Sequence, residues 1–200
     1  MTMLEHEPPD VVSRNLAIGA RLSAGATTFA FFCPFFAYLY LRSLNSAGMW
    51  RPAHVEPPQG LGATITALIL VSGAALMLAS RTAWASAWMP LVALALASGL
   101  AGVALQCVAY AGLGFGPTDG GYASVFVAWT SLNAVFVFGT MLWAETLLAY
   151  GLRTRRQTST PAGDLDSPHA LIQPRLAALA FYGTYLAALG VVMWVVLYLV

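Results

Sequence analysis

Long apolar runs, each ended by an arginine or by a short stretch rich in glycine, proline and polar residues, divide the chain into five segments. A helix needs about 20 apolar residues to cross the hydrocarbon core of a bilayer, and only a backbone that closes its own hydrogen bonds is tolerated there. The pattern therefore predicts spans at 22–41, 61–80, 88–111, 122–148 and 176–199. Arg21 and Arg42 bracket the first, and Arg81 stops the second. Pro90 falls in the first turn of the third, where a missing N–H does no harm. Pro34 lies inside the first span and is expected to kink it, freeing the carbonyl of Ala30. The connections are 43–60, 82–87, 112–121 and 151–174; Thr158, Ser159, Thr160, Pro161, Gly163 and Ser167 make the last a flexible linker. The expected fold is all-α: a single membrane domain, 1–200, of five transmembrane helices.

Composition supports the same solvent. Charged residues make up 8% of the chain, against about 25% in a typical soluble domain. The net charge of +1 gives no reason to expect a nucleic-acid partner. Lysine is absent and arginine supplies all the cationic charge, a usage that points to a GC-rich bacterial genome. Glu5, Glu7 and Asp10 precede Arg14, the reverse of a secretory signal's basic start, so no cleaved signal peptide is expected.

Where the arginines fall sets the expected orientation, because cations stay on the cytoplasmic side. Arg14, Arg21, Arg81, Arg153, Arg155, Arg156 and Arg175 lie on one side, against Arg42 and Arg51 on the other. The N-terminus is thus expected in the cytoplasm and the C-terminus in the periplasm, across a bacterial inner membrane. Trp84, Trp88 and Trp143 fall near the inner boundary, and Tyr38, Tyr40, Trp50 and Tyr198 near the outer one, as an interfacial belt requires.

Haem and copper in a membrane bundle need histidines projecting from the helices. The only histidines, His6, His54 and His169, are all in expected loops, so no catalytic, cofactor or metal site is expected in this chain. Cys33 and Cys107 sit in apolar runs and are read as small packing residues. Glu145 is the one acid inside an expected span, about a turn from its inner end. It is read as a boundary carboxylate that snorkels or pairs with the arginines that follow, with a proton-collecting or partner-binding role as the alternative. Thr27, Thr28, Thr64, Thr66, Ser72, Gln106, Thr130, Asn133 and Thr184 are expected to hydrogen-bond between helices. Ala95 with Gly99, and Ser98 with Gly102, are small pairs that let backbones approach.

Four of the five segments carry stretches similar to subunit III of cytochrome c and quinol oxidases. The fourth, from Tyr122 to Gly139, resembles that family's tyrosine-glycine-serine start and its later threonine-glycine-phenylalanine-histidine run, keeping Tyr122, Ser124, Phe126, Thr130, Val137 and Gly139 in register. The first ends in Phe36-Ala-Tyr-Leu-Tyr-Leu-Arg42, close to a phenylalanine-alanine-alanine-tyrosine-x-tyrosine-leucine-arginine ending, with Tyr38 and Arg42 at its key positions. The third offers Gln106 and Tyr110, and the fifth spans Tyr182 to Tyr198 at the family's spacing. Five spans match the short bacterial form. The departures run one way: Thr27, Ala109, Asn133, Phe136, Gly183, Thr184 and Ala187 stand where the family has glutamate, histidine, tryptophan or aspartate.

The resemblance implies a subunit with no redox centre of its own, packed against a catalytic oxidase subunit I that holds haem and copper. It also implies bound phospholipid and support for proton uptake in aerobic respiratory electron transport. A subunit-III-like accessory protein of a nitric oxide reductase is the related alternative. A small transporter or channel is the alternative of another class, disfavoured because no span combines a midplane charge with an interrupted helix.

Overall fold

The computed structural model describes residues 8–45, 48–82, 87–157 and 171–200. His6, His169, Trp84 and the expected linker residues 158–170 lie outside them. The described residues form five α-helices: α1 (Pro9–Ser43), α2 (Gln59–Arg81), α3 (Trp88–Ala111), α4 (Gly121–Gln157) and α5 (Ile172–Tyr198). All five are long and apolar enough to cross a membrane, which makes the chain a multi-pass membrane protein by length and composition.

Two helices outrun the spans expected for them. α1 begins at Pro9 rather than near residue 22, and α4 continues to Gln157 rather than ending near 148. Hydropathy marks only the part of a helix that lipid would cover, whereas the helix continues wherever the backbone meets no breaker. The 35 residues of α1, at about 1.5 Å each, extend about 52 Å, well beyond a core of about 30 Å. Proline at the first turn starts α1 without loss of a needed donor. The helix also passes through Pro34 without a break.

Contacts between helices fix the arrangement. α2 packs on α3 and α5, and α4 packs on the other sides of α3 and α5, closing a four-helix ring; α1 lies outside it, in the groove between α4 and α5. Ser72 meets Ala95 while Gly102 faces Ile65, so α2 and α3 are antiparallel. Thr27 and Thr28 of α1 meet Tyr182 and Tyr185 of α5 in ascending order, so those two helices are parallel. α1, α3 and α5 therefore point one way, and α2 and α4 the other.

The interior changes character along the bundle. Towards the ends of α2 and α3 nearest the 82–87 turn it is narrow, built on Ala75, Ala79, Ala95, Ala144, Leu176 and Leu179. Towards the opposite end it is wide and aromatic, with Phe31, Tyr38, Phe115, Tyr122, Phe126 and Trp129. The outside is apolar too: Leu22 (69% exposed), Phe29 (78%) and Phe36 (66%) project from α1, and Val108, Val135 and Val192 from other helices. Apolar surface this extensive suits a lipid solvent and not water.

Candidate functional site

Most hydroxyls inside the helices are spent on their neighbours. Thr27 donates to the Ser23 carbonyl at 2.8 Å, so the Tyr182 hydroxyl 2.8 Å away must supply the proton that joins α5 to α1. The next residue, Thr28, donates to the Ala24 carbonyl and meets the hydroxyl of Tyr185, about one turn along α5, in the same way. Between α3 and α4, Thr130 donates to the Phe126 carbonyl at 2.6 Å. Tyr110 therefore donates to Thr130 at 2.7 Å and accepts from Ser131 at 2.9 Å. Ser72 ties α2 to the Ala95 carbonyl of α3 at 2.8 Å, and Thr184 reaches from α5 to the Gly73 carbonyl of α2 at 3.4 Å. Thr64 and Thr66 instead bond back to Gly60 and Gly62 on their own helix.

Small residues decide how near the helices come. Gly73 is buried on α2; a Cβ there would lie 3.1 Å from the Ala187 Cβ and 3.4 Å from the Gly183 carbonyl. A Cβ on Gly183 would in turn lie 2.6 Å from Leu76 Cδ1. Gly183, Thr184 and Ala187 are thus the surface on which α5 meets α2. Gly99 faces Met141 of α4, and Gly102 faces Ile69 and Ile65 of α2.

Tyr38, Tyr122, Phe126, Thr130, Asn133 and Gln106 are all buried and Tyr110 is half-buried. Asn133 stands beside Gly190 of α5, and its Oδ1 is buried with no hydrogen-bond partner, as is Nε1 of neighbouring-turn Trp129. Ser124 and Gly139 are exposed: Ser124 bonds back to the Gly120 carbonyl at 3.1 Å, and nothing lies within 4 Å of where a Gly139 Cβ would be.

Two expectations need correction. Glu145 is not one turn from the end of its helix, because α4 runs twelve residues further, to Gln157. It is exposed on the outer face, and among the described residues it has no arginine partner within ion-pairing distance. Cys33 and Cys107 are not packing residues, since both are exposed, on α1 and α3 respectively. Apolar runs do not say which side of a helix faces inward when both sides are apolar. Among the described residues, no three His, Cys, Asp or Glu side chains come together as a metal would require.

The segment between α1 and α2, expected only as a connection, folds back as a cap on the aromatic end. Trp50 sits edge-on between two buried tyrosines, 5.1 Å from Tyr38 of α1 and 5.8 Å from Tyr122 of α4. Its backbone N–H donates to Asn45 Oδ1, and its carbonyl accepts the Tyr122 N–H at 2.9 Å. Tyr122 then donates its hydroxyl to the Leu197 carbonyl at 2.6 Å, bringing in α5. Gly120 makes room: its φ of +119° suits glycine, and a Cβ would sit 2.9 Å from Pro52 Cδ and 3.0 Å from the Met49 carbonyl. From Trp50 the ring contacts continue through Tyr122, Phe126 and Tyr198 to Trp194. Sequence reading placed Trp50 and Tyr38 at an interface, but nothing in their spacing said that the loop would join them. No protein-family model matches the chain, and no curated protein matches it.

Proposed function

We propose that this chain is a non-catalytic subunit of a bacterial haem–copper terminal oxidase, standing where subunit III stands beside the catalytic subunit. The observation that carries the reading is the junction of the two stretches most like that family. Tyr38 and Arg42, at the end of α1, meet Tyr122, at the start of α4, through Trp50. Sequence-distant residues that share a family likeness and also form one packed cluster are better explained by a common fold than by chance composition.

The reading assigns the chain a supporting role. With no histidine inside any apolar run, haem and copper belong to the partner, and the threonines and tyrosines within the helices hold this bundle together. The arginine distribution supports an N-terminus in the cytoplasm and the capped aromatic end at the periplasmic face of a bacterial inner membrane.

Purification of the tagged full chain from its native membrane tests the proposal. The expected result is a large multi-span partner carrying haem and copper. Non-haem iron in place of copper would move the chain to a nitric oxide reductase complex. Recovery without any haem protein, together with ion conductance in liposomes holding this chain alone, would replace the subunit reading with a transport one.

A further inference from the structure

The outward face of α4 is apolar except at one place. Val135 (68% exposed), Phe138 (45%) and Leu142 (47%) follow one another at helical spacing, and exposed Glu145 continues the row. Among the described residues Glu145 is the one acid within the apolar stretch of a helix. Its depth is marked by its neighbours. Trp88 packs on Gly151, and Arg175 lies over Tyr150, with Cζ 4.8 Å from the ring centroid. Tryptophan, tyrosine and arginine at helix ends collect at headgroup level. Glu145 comes five residues before Tyr150, about 7.5 Å deeper at about 1.5 Å per residue.

Snorkelling does not bring this carboxylate back to the headgroups. A helical Cα–Cβ bond tilts towards the helix N-terminus. For α4 that is the capped end, so Glu145 leans towards the hydrocarbon and away from the nearer surface. The chain supplies no counter-charge either. Among the described residues Glu145 has no ion-pair partner, Arg153 is eight residues further out, and the neighbouring Thr146 hydroxyl is spent on the Trp143 carbonyl at 2.7 Å. A carboxylate at this depth is costly without a cation, and lipid tails offer none. Gly139 lies on the same face, between Val135 and Leu142, with nothing within 4 Å of its Cβ position. Glycine there weakens the helix relative to alanine, whereas a second helix crossing at close range makes use of it.

We infer that this face of α4 docks a membrane-spanning helix of a different protein, which sets an arginine or lysine beside Glu145. The docked helix crosses at Gly139 and covers Val135, Phe138 and Leu142. A second copy of this chain does not answer the charge, because a two-fold pairing over this face sets Glu145 against Glu145 and like charges repel. The inference rests on the subunit reading only in requiring a membrane partner. Whether that partner carries haem and copper is a separate measurement.

Photo-crosslinking of the full chain in its native membrane tests it, with a photoreactive residue at Val135 or Leu142 and, as the control, at exposed Val192 of α5. Val135 and Leu142 should each couple to one other protein, and Val192 should not. Glu145→Gln should lower co-purification of that protein about tenfold, the order expected for a lost charge-assisted bond. Gly139→Leu should lower it as well while leaving the isolated bundle folded. Glu145→Arg should abolish recovery, and an acid in place of the partner's cross-linked cation should restore it. Should a variant fail to fold, crosslinking with Glu145 intact decides. Captured protein without haem or copper would sink the oxidase reading and leave this inference standing. Coupling of Leu142 only to lipid or to a second copy of this chain, no preference for Leu142 over Val192, or full recovery of the partner by Glu145→Arg would overturn it.

Discussion

Gly73→Leu is the substitution whose cost the structure fixes most directly. The α2–α5 contact at Gly73 is bounded by the Ala187 Cβ at 3.1 Å and by main-chain atoms of Gly183 and Thr184 at 3.4 Å, measured from an added Cβ. Main chain cannot swing aside as a side chain can. A methyl group needs the neighbours to yield by a few tenths of an ångström, and in a helix interior alanine regains about 1 kcal/mol over glycine, so Gly73→Ala should be close to neutral. The remaining atoms of leucine have no space, and overpacking of this kind costs about 1–3 kcal/mol. The substitution also pushes the Gly73 carbonyl away from the Thr184 hydroxyl that bonds it. Gly139 supplies the reference, because nothing lies within 4 Å of its Cβ position and leucine there gains helix propensity without a clash. Unfolding by steric trapping in bicelles should place Gly73→Leu about 1–3 kcal/mol below Gly139→Leu, the overpacking cost alone, because the gain in helix propensity is common to both. Equal stabilities for the two leucine variants would refute the close α2–α5 approach.

Thr27→Val and Tyr182→Phe, alone and combined, should show a coupling of about 0.6 kcal/mol, typical of hydrogen bonds between membrane helices; the same unfolding assay measures it, and strict additivity would exclude the α1–α5 bond. Trp50→Ala should loosen the cap by about 1–3 kcal/mol, from two aromatic contacts of about 0.5–1.5 kcal/mol each, seen as faster proteolysis between Leu44 and Pro58 with the helices intact. Glu145→Gln should leave stability within about 0.5 kcal/mol, as expected for an exposed group without a partner; in the purified complex, a large loss of turnover with normal assembly would return Glu145 to the proton path. Cys33 and Cys107 should each react with a membrane-permeant maleimide in the isolated chain, and protection of either would show that its helix face is covered.

The existence and order of the helices were legible because a run of about 20 apolar residues has few other structures open to it. α3 even begins and ends where its hydropathy does, at Trp88 and Ala111, because Gly112 closes it. The long ends of α1 and α4 were not legible, since residues such as Asn15 or Arg153 continue a helix as readily as they occupy a loop. Which polar residues would pair was hidden for another reason. Thr27 and Tyr182 are separated by 155 positions, and both helices are apolar on every side, so no period of hydrophobicity reveals the inward face. Cys33 and Cys107 were misplaced by the same ambiguity. The cap was the least legible part. It depends on a loop tryptophan fitting between tyrosines of two helices, and on Gly120 taking a backbone angle open to few other residues.

The neutral residues Thr27, Asn133, Gly183 and Ala187 share one structural consequence. Thr27 is a hydrogen-bond acceptor for Tyr182, Gly183 and Ala187 bring α5 against α2, and Asn133 lies against Gly190 where α4 meets α5. A carboxylate or imidazole at Ala187 would enter a contact with no spare volume, where an unpaired charge costs several kcal/mol. Such groups need space and partners, and the close packing of this bundle removes both. Neutral side chains at these positions and the tight helix contacts are therefore one feature seen from two sides. Charge is instead concentrated at the helix ends, where Arg42 and Arg51 rest on buried tyrosines and water or headgroups can reach them. A bundle built this way keeps its interior neutral and its cations at the helix ends.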